Sequence, residues 1–321
     1  MAEFTKDVLV LDAAAEVERI IGGIRAAARR FRRRGAIVAM SGGIDSSVVG
    51  ALCVKALGPK RVFGLSLPEQ ESSTATPGLS DTIISHLGID SATVNITPML
   101  ESFGCYATRI DAVREVIPEF TAEWKFKIVL PSITESDAYR TYSVVAESPE
   151  GDMETHKLTL SAYLQVLAAT NYKQRVRKTL EYFHADRLNY FVAGTPNLLE
   201  YDQGFFVKLG DGAADVKPIA HLYKTQVYQL AEYLGVPEAI SARPPTTDTY
   251  SLPQSQEEFY FSLPHDKMDL SLYALNNAVS AADVAPALGL TTKQVERVFD
   301  DIKAKRAVAD YLHASPQTIV E

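Results

Sequence analysis

The chain has 321 residues, 46% hydrophobic and 22% charged, a length and composition that permit a sizeable buried core in a globular protein. A net charge of −8 argues against a general polynucleotide binder, and two cysteines support neither a disulfide framework nor a four-cysteine zinc site. No apolar stretch reaches bilayer-spanning length and the N-terminus lacks a secretory pattern, so the expectation is a cytoplasmic protein with no membrane or nucleic-acid partner.

Residues 12–34 read as an amphipathic helix, with Val17, Ile20, Ile21, Ile24 and Ala28 at helical spacing. Its end carries Arg29, Arg30, Arg32, Arg33 and Arg34. These are read as a solvated helix terminus that complements the dipole, in preference to a nucleic-acid patch. Residues 36–40 form a short apolar run suited to a buried parallel strand. Ser41-Gly42-Gly43-Ile44-Asp45-Ser46-Ser47 follows, and a helix then runs to Gly58-Pro59. Strand, Gly-Gly turn and helix start together make an anion site, because free N–H groups and the positive end of the helix dipole converge there. A carboxylate at Asp45 cannot bind phosphate directly and points to a bridging magnesium ion. The loop lacks the spacer and the Lys-Ser/Thr ending of a Walker loop.

Residues 61–67 and 92–96 read as further parallel strands, with helices marked by Leu79, Ile83, Ile84 and Leu87 and by residues 98–116. This rhythm predicts a doubly wound parallel sheet flanked by helices, with the ligand at the carboxyl ends of the strands. Residues 120–160 break it. Residues 125–130 and 139–146 look like two strands around a loop at 132–137, an inserted β-hairpin, and residues 148–152 form a further turn. Helix returns at 163–185, then a short strand at 188–193 runs into Gly194-Thr195-Pro196-Asn197. Residues 222–234 are helical, 241–253 irregular, and three or four short helices make a helical C-terminal part from about residue 266. The whole is read as one domain, residues 1–321.

Polar residues gather after position 170 without helical or strand logic: Asn171, Arg175, Arg177, Thr195, Glu200, Lys208, Asp211, Asp215, Lys224 and Thr246. Thr195 stands at a strand's carboxyl end, beside the expected place of the first loop. Glu200 is placed to share a metal ion with Asp45, and Lys224 begins a helix from which it could reach a phosphate.

The loop Ser-Gly-Gly-x-Asp-Ser resembles that of the ATP pyrophosphatases. Gly194-Thr195-Pro196-Asn197-Leu198-Leu199-Glu200, the run from Gly204 to Asp215, Leu222-Tyr223-Lys224-Thr225-Gln226-Val227 and Pro244-Pro245-Thr246-Thr247-Asp248 stand in the order and spacing of the NAD synthetase family. The resemblance implies an adenine nucleotide alpha hydrolase-like fold and an ammonia-dependent amide ligase. It implies that Ala39, Met40, Ser41, Gly42, Gly43, Ile44, Asp45, Ser46, Thr195, Lys224 and Thr246 hold ATP. It further implies Mg²⁺ on Asp45 and Glu200, deamido-NAD on Arg175, Lys208 and Asp215, and a homodimer. Two stretches depart from the family pattern: the 120–160 segment is longer, and Ala304-Lys305-Arg306 stands where the family has a His-Lys pair.

The implied chemistry is adenylation. A carboxylate attacks the α-phosphorus of ATP, pyrophosphate leaves, and ammonia displaces AMP to give an amide. No cysteine nucleophile is placed for a glutaminase, so the nitrogen comes as free ammonia or from a separate glutaminase. The alternatives are the same chemistry on another carboxylic acid, a tRNA-modifying ATP pyrophosphatase, and a non-catalytic ATP-binding module.

Overall fold

A computed structural model describes residues 4–73, 76–130, 142–243, 246–247 and 249–319. After a 3₁₀ turn, α1 (Ala13–Arg30) starts on Asp12, whose side chain accepts the Ala15 N–H at 3.0 Å, and buries the five apolar residues read from its periodicity. Then come β1 (Ala36–Ala39), α2 (Ile44–Leu57), β2 (Val62–Ser66), α3 (Thr76–Leu87) and β3 (Asp90–Thr93). The single helix expected over 98–116 is two, α4 (Thr97–Ser102) and α5 (Cys105–Arg114). Gly104, left-handed at φ +70°, turns the chain between them.

An antiparallel sheet follows: β4 (Lys125–Val129), β5 (Ser143–Glu147) and β6 (Met153–Lys157). The expected hairpin is β4 with β5, in a register that pairs buried Phe126 with Ala146 and Ile128 with Val144. The third strand was not legible. Met-Glu-Thr-His-Lys is a polar, largely exposed edge and shows no apolar alternation. The loop expected at 132–137 lies outside the described residues.

The helix α6 (Leu160–Leu188) is longer than read at both ends and leads into β7 (Phe191–Ala193). Next are α7 (Leu198–Gln203), α8 (Lys224–Leu234) and the short α9 (Glu238–Ser241). The stretch expected to be irregular carries a two-residue pairing of β8 (Thr246–Thr247) with β9 (Gln254–Ser255), followed by a π-helical turn at Glu257–Phe261. The C-terminal part is α10 (His265–Asn276), α11 (Ala281–Leu288) and α12 (Thr292–His313), the last of 22 residues where only short helices were expected.

The central sheet is parallel in the order β3-β2-β1-β7. Winding therefore moves outward from β1 to β3, then returns to the other side of β1 for β7. That reversal opens a crevice at the carboxyl ends of β1 and β7. The strands alternate as buried parallel strands do: Ala36 and Val38 join the core under α1, α2 and α8, while Ile37 and Val192 join the core under α5 and α6. The antiparallel sheet packs its own core against α5 and the first half of α6 through Phe120, Phe126, Ile128, Val144 and Val166. Arg109 bridges the two regions: its guanidinium lies 4.8 Å from the Phe126 ring and 5.2 Å from the Tyr250 ring, and pairs with Glu71 at 2.6 Å.

Both cysteines are buried; burial pushes the Cys53 thiol up to about 12, and also raises Cys105. Among the described residues no helix is long and apolar enough to cross a membrane.

Candidate active site

The loop after β1 is shaped by short-range bonds. The Ser80 hydroxyl donates to the Met40 carbonyl at 2.6 Å and pins the strand's end to α3. Gly42 has φ +75°, and a Cβ there would stand 2.6 Å from the Leu79 Cβ, so both the backbone and the space require glycine. The hydroxyls of Ser46 and Ser47 donate to the Gly43 carbonyl at 3.0 and 2.8 Å, and Ser41 Oγ lies 3.1 Å from Ser46 Oγ. Gly43 caps α2 with no side-chain bond, which leaves its first-turn N–H groups to an oxyanion.

A cavity of about 470 Å³ opens over this loop, within the range of small-molecule sites. Its lining includes Ala39, Met40, Ser41, Gly42, Gly43, Ile44, Asp45, Ser46, Thr195, Glu200 and Lys224, so nearly all residues expected at ATP and magnesium come together. Thr246 begins β8, and the strand's second residue, Thr247, lines the cavity. A long side of the cavity is one face of α6: Tyr163, Leu167, Thr170, Gln174, Arg177 and Glu181 recur every three or four residues. At 1.5 Å per residue that face is roughly 27 Å long.

The charges concentrate where β1 and β7 part. Lys224, 2% exposed, contacts Asp45 Oδ2 through its ammonium. Burial works against that charge, but Asp45 and Glu200 outweigh it and hold the lysine above its ordinary value. Glu200 is pushed the other way, up to about 8, by burial and by the Asp45 carboxylate. Both carboxylates sit at helix starts. Asp45 is in the first turn of α2 and Glu200 in the first turn of α7. Lys224 contacts Asp45 and leaves Glu200, held toward its protonated form, as a second carboxyl beside the pair that a cation would draw into its ionised form. No group of three metal-ligating side chains exists among the described residues. A pair is what magnesium takes from a protein when phosphates and water complete its shell.

Arg175, Lys208 and Asp215 are not in the cavity's lining. Arg175 is on the exposed face of α6 and donates to the Lys208 carbonyl at 3.3 Å. Lys208 caps the end of α12, donating to the carbonyls of Tyr311 at 2.7 Å and Ala314 at 3.2 Å, with the Tyr311 ring 4.2 Å away. Asp215 accepts the Val192 N–H at 2.8 Å and the Tyr182 hydroxyl at 3.3 Å. Lys305 and Arg306, at the departure from the family pattern, are engaged elsewhere. Lys305 pairs with Asp301 at 2.5 Å and donates to the Tyr260 carbonyl at 2.7 Å, and Arg306 forms a two-bond pair with Asp202 at 2.8 and 2.9 Å.

Three supporting residues escaped the sequence reading. Asn197 donates to Asp45, Gln256 donates to Glu200 at 3.0 Å, and Asp269 accepts the N–H groups of Lys224 at 3.1 Å and Thr225 at 2.7 Å. Asn-x-x-Glu is a capping-box pattern and could have flagged Asn197. Asp269 offered only a charge between Met268 and Leu270 on an apolar helix. It fixes the start of α8, and with it Lys224, from α10.

Two outcomes are expected. Gly42→Ala must hold a left-handed residue against Leu79, which costs about 1–2 kcal/mol for the backbone alone. Chemical denaturation should show that loss. Burial lifts Asp269 from an ordinary 3.8 to about 7, although its two N–H donors pull the other way. Between those values the folded state keeps a proton that the unfolded chain has lost. This group's contribution to stability is therefore full below about 4 and lost as pH rises to about 7. Denaturation of Asp269→Asn across that window should show a flatter pH dependence than wild type.

A profile of the NAD synthase family matches residues 16–117 and 137–307, so most of the segment from Ile117 to Ser136, including β4, falls outside it. An NH(3)-dependent NAD(+) synthetase of Mesorhizobium japonicum is 54% identical over 98% of this chain and 98% of its own length. One from Rhizobium meliloti is 53% identical over 98% of this chain and 95% of its own. Among solved structures, the NH3-dependent NAD synthetase from Campylobacter jejuni superposes with a TM-score of 0.62 at 21% identity, over 97% of this chain and 100% of its own, a likeness of fold. With the loop, the crevice and these relatives together, the chain belongs to the NAD synthase family.

Proposed function

We propose that this protein is an ammonia-dependent NAD synthetase, an ATP-consuming ligase that converts the carboxylate of deamido-NAD to the amide of NAD and releases AMP and pyrophosphate. The observation that carries the reading is the Ser-Gly-Gly-Ile-Asp-Ser loop at the mouth of the crevice, with Lys224 and two carboxylates converging on it. The 54% identity to an NH(3)-dependent NAD(+) synthetase over nearly the whole of both chains supports the substrates.

The residues divide the work as follows. The N–H groups at the start of α2 and the hydroxyls of Ser41 and Ser46 bind the β- and γ-phosphates. The substrate carboxylate oxygen bonds to the α-phosphorus as the bridging oxygen to the β-phosphorus leaves. Lys224, held in place by Asp45 and by the Asp269 cap, neutralises charge as it grows on the departing pyrophosphate. Asp45 and Glu200 would hold Mg²⁺, which when bound would draw charge from the phosphate oxygens. Ammonia then adds to the acyl carbon, and AMP leaves with the C–O bond electrons as the nitrogen loses a proton. Thr195 and Thr246 complete the ATP site in this reading, and Arg175, Lys208 and Asp215 take deamido-NAD from outside the cavity.

A homodimer is part of the proposal. Along the exposed side of α6 lie Leu164, 50% exposed, Tyr172 and Phe183, 59% exposed, with Phe103 packed 5.5 Å from the Tyr172 ring. An apolar stripe of this kind on the same side as Arg175 fits a partner subunit beside the dinucleotide. The use of ATP fits a cytoplasmic enzyme.

Phosphorus NMR of a mixture with ATP, ammonia and deamido-NAD should show AMP and pyrophosphate in equal amounts, with NAD appearing in step. Accumulation of ADP would overturn the adenylation, and pyrophosphate release only with another acid would overturn the substrate. For assembly, Leu164→Glu with Phe183→Glu should convert a dimer to a folded monomer in light scattering; a wild-type monomer at micromolar concentration would refute the dimer.

A further inference from the structure

Asn197 is 1% exposed and touches both of the clustered carboxylates. Its Oδ1 accepts the Glu200 N–H at 3.3 Å, and its own N–H donates to Glu200 Oε2 at 3.2 Å. Those two bonds form the capping box that starts α7. The third bond leaves the helix: Asn197 Nδ2 donates to Asp45 Oδ1 at 3.1 Å, joining residues 152 apart in the chain. The remaining carboxylate oxygens are held from the outside, Asp45 Oδ2 by Lys224 and Glu200 Oε1 by Gln256. Asn197 is thus the direct hydrogen-bonded link between the turn that carries Asp45 and the turn that carries Glu200.

We propose that Asn197 is a positioning residue of the ligase reaction, whose amide fixes the two carboxylates relative to one another for a divalent cation. The inference rests on the reading of Asp45 and Glu200 as the magnesium ligands. The residue type carries the argument. A helix start is capped about equally well by Asn, Asp or Ser. Only an amide puts an acceptor and an N–H donor on one short group, so it can cap α7 and donate to Asp45 together. Aspartate would cap but set a third carboxylate against Asp45. Serine would cap but is too short to span to Asp45. A donor that orients a metal-binding carboxylate without touching the metal typically contributes ten- to hundredfold in affinity or activity.

The test separates capping from positioning. Asn197→Ser and Asn197→Asp are compared with wild type, Asp45→Asn and Glu200→Gln in calorimetric titrations of Mg²⁺, with an ATP analogue bridged by methylene between the α- and β-phosphorus present. Unfolding temperature, kcat and the KM for deamido-NAD are measured in parallel. The serine variant, which keeps the cap, should unfold near the wild-type temperature and keep the KM for deamido-NAD, while its magnesium dissociation constant rises about tenfold to hundredfold with a matching fall in kcat at fixed magnesium. The aspartate variant, with a third carboxylate beside Asp45, should unfold at a lower temperature that added magnesium restores. If the serine variant binds magnesium like wild type while Asp45→Asn and Glu200→Gln weaken it, Asn197 is a helix cap only and the inference is overturned. If Asp45→Asn and Glu200→Gln also bind like wild type, the ligand reading itself falls and this inference falls with it.

Discussion

Two carboxylates and one ammonium at the parting of β1 and β7 set the terms for much of this molecule. Lys224 is almost wholly buried, and a buried lysine survives only where opposite charge faces it. Removing Asp45 would strand that charge, and breaking such a pair from one side typically costs about 3–5 kcal/mol. Glu200, which has no ammonium of its own, is pushed toward its protonated form by burial and by Asp45.

The charged groups and the glycine loop are then steadied by bonds from other elements. Asp269 reaches from α10 to the start of α8 and sets Lys224. Gln256, just before the π-helical turn, steadies Glu200. Ser80 in α3 fixes the end of β1, and so the direction in which the glycine loop leaves the sheet. Of the C-terminal helices, α10 serves the crevice by capping α8. The end of α12 engages Lys208, whose ammonium rests on its carbonyls.

The antiparallel sheet is attached by a different physics. Aromatic contacts and one buried guanidinium join it to α5 and α6. Arg109 shares the Glu71 carboxylate with Lys173, which meets Glu71 at 2.5 Å and Glu69 at 2.8 Å. Lys173 is itself in the cavity wall, so the sheet and the crevice share one buried ion network. Tyr163, stacked 4.1 Å from Tyr142, continues that wall along α6.

Local chemistry made the parallel layer legible in the sequence. Apolar runs of strand length, a Gly-Gly turn and helices with clear periodicity announce themselves within ten residues, and the doubly wound rhythm follows from their order. The loop side of the cavity was legible for the same reason, because Ser41 to Ser46 are neighbours in the chain. What needed the tertiary structure was everything that depends on distant partners. An exposed polar edge such as β6 has no pattern of its own; it is a strand because β5 pairs with it. Arg175, Lys208 and Asp215 look alike in sequence as polar residues near the loop, yet they lie off the cavity wall, tied to one another, to α12 and to β7. Asn197 and Asp269 read as ordinary cap and helix residues until packing brings Asp45 to one and Lys224 to the other. Hydrogen bonds between elements over 40 residues apart leave no local trace, and it is those bonds that aim the charges.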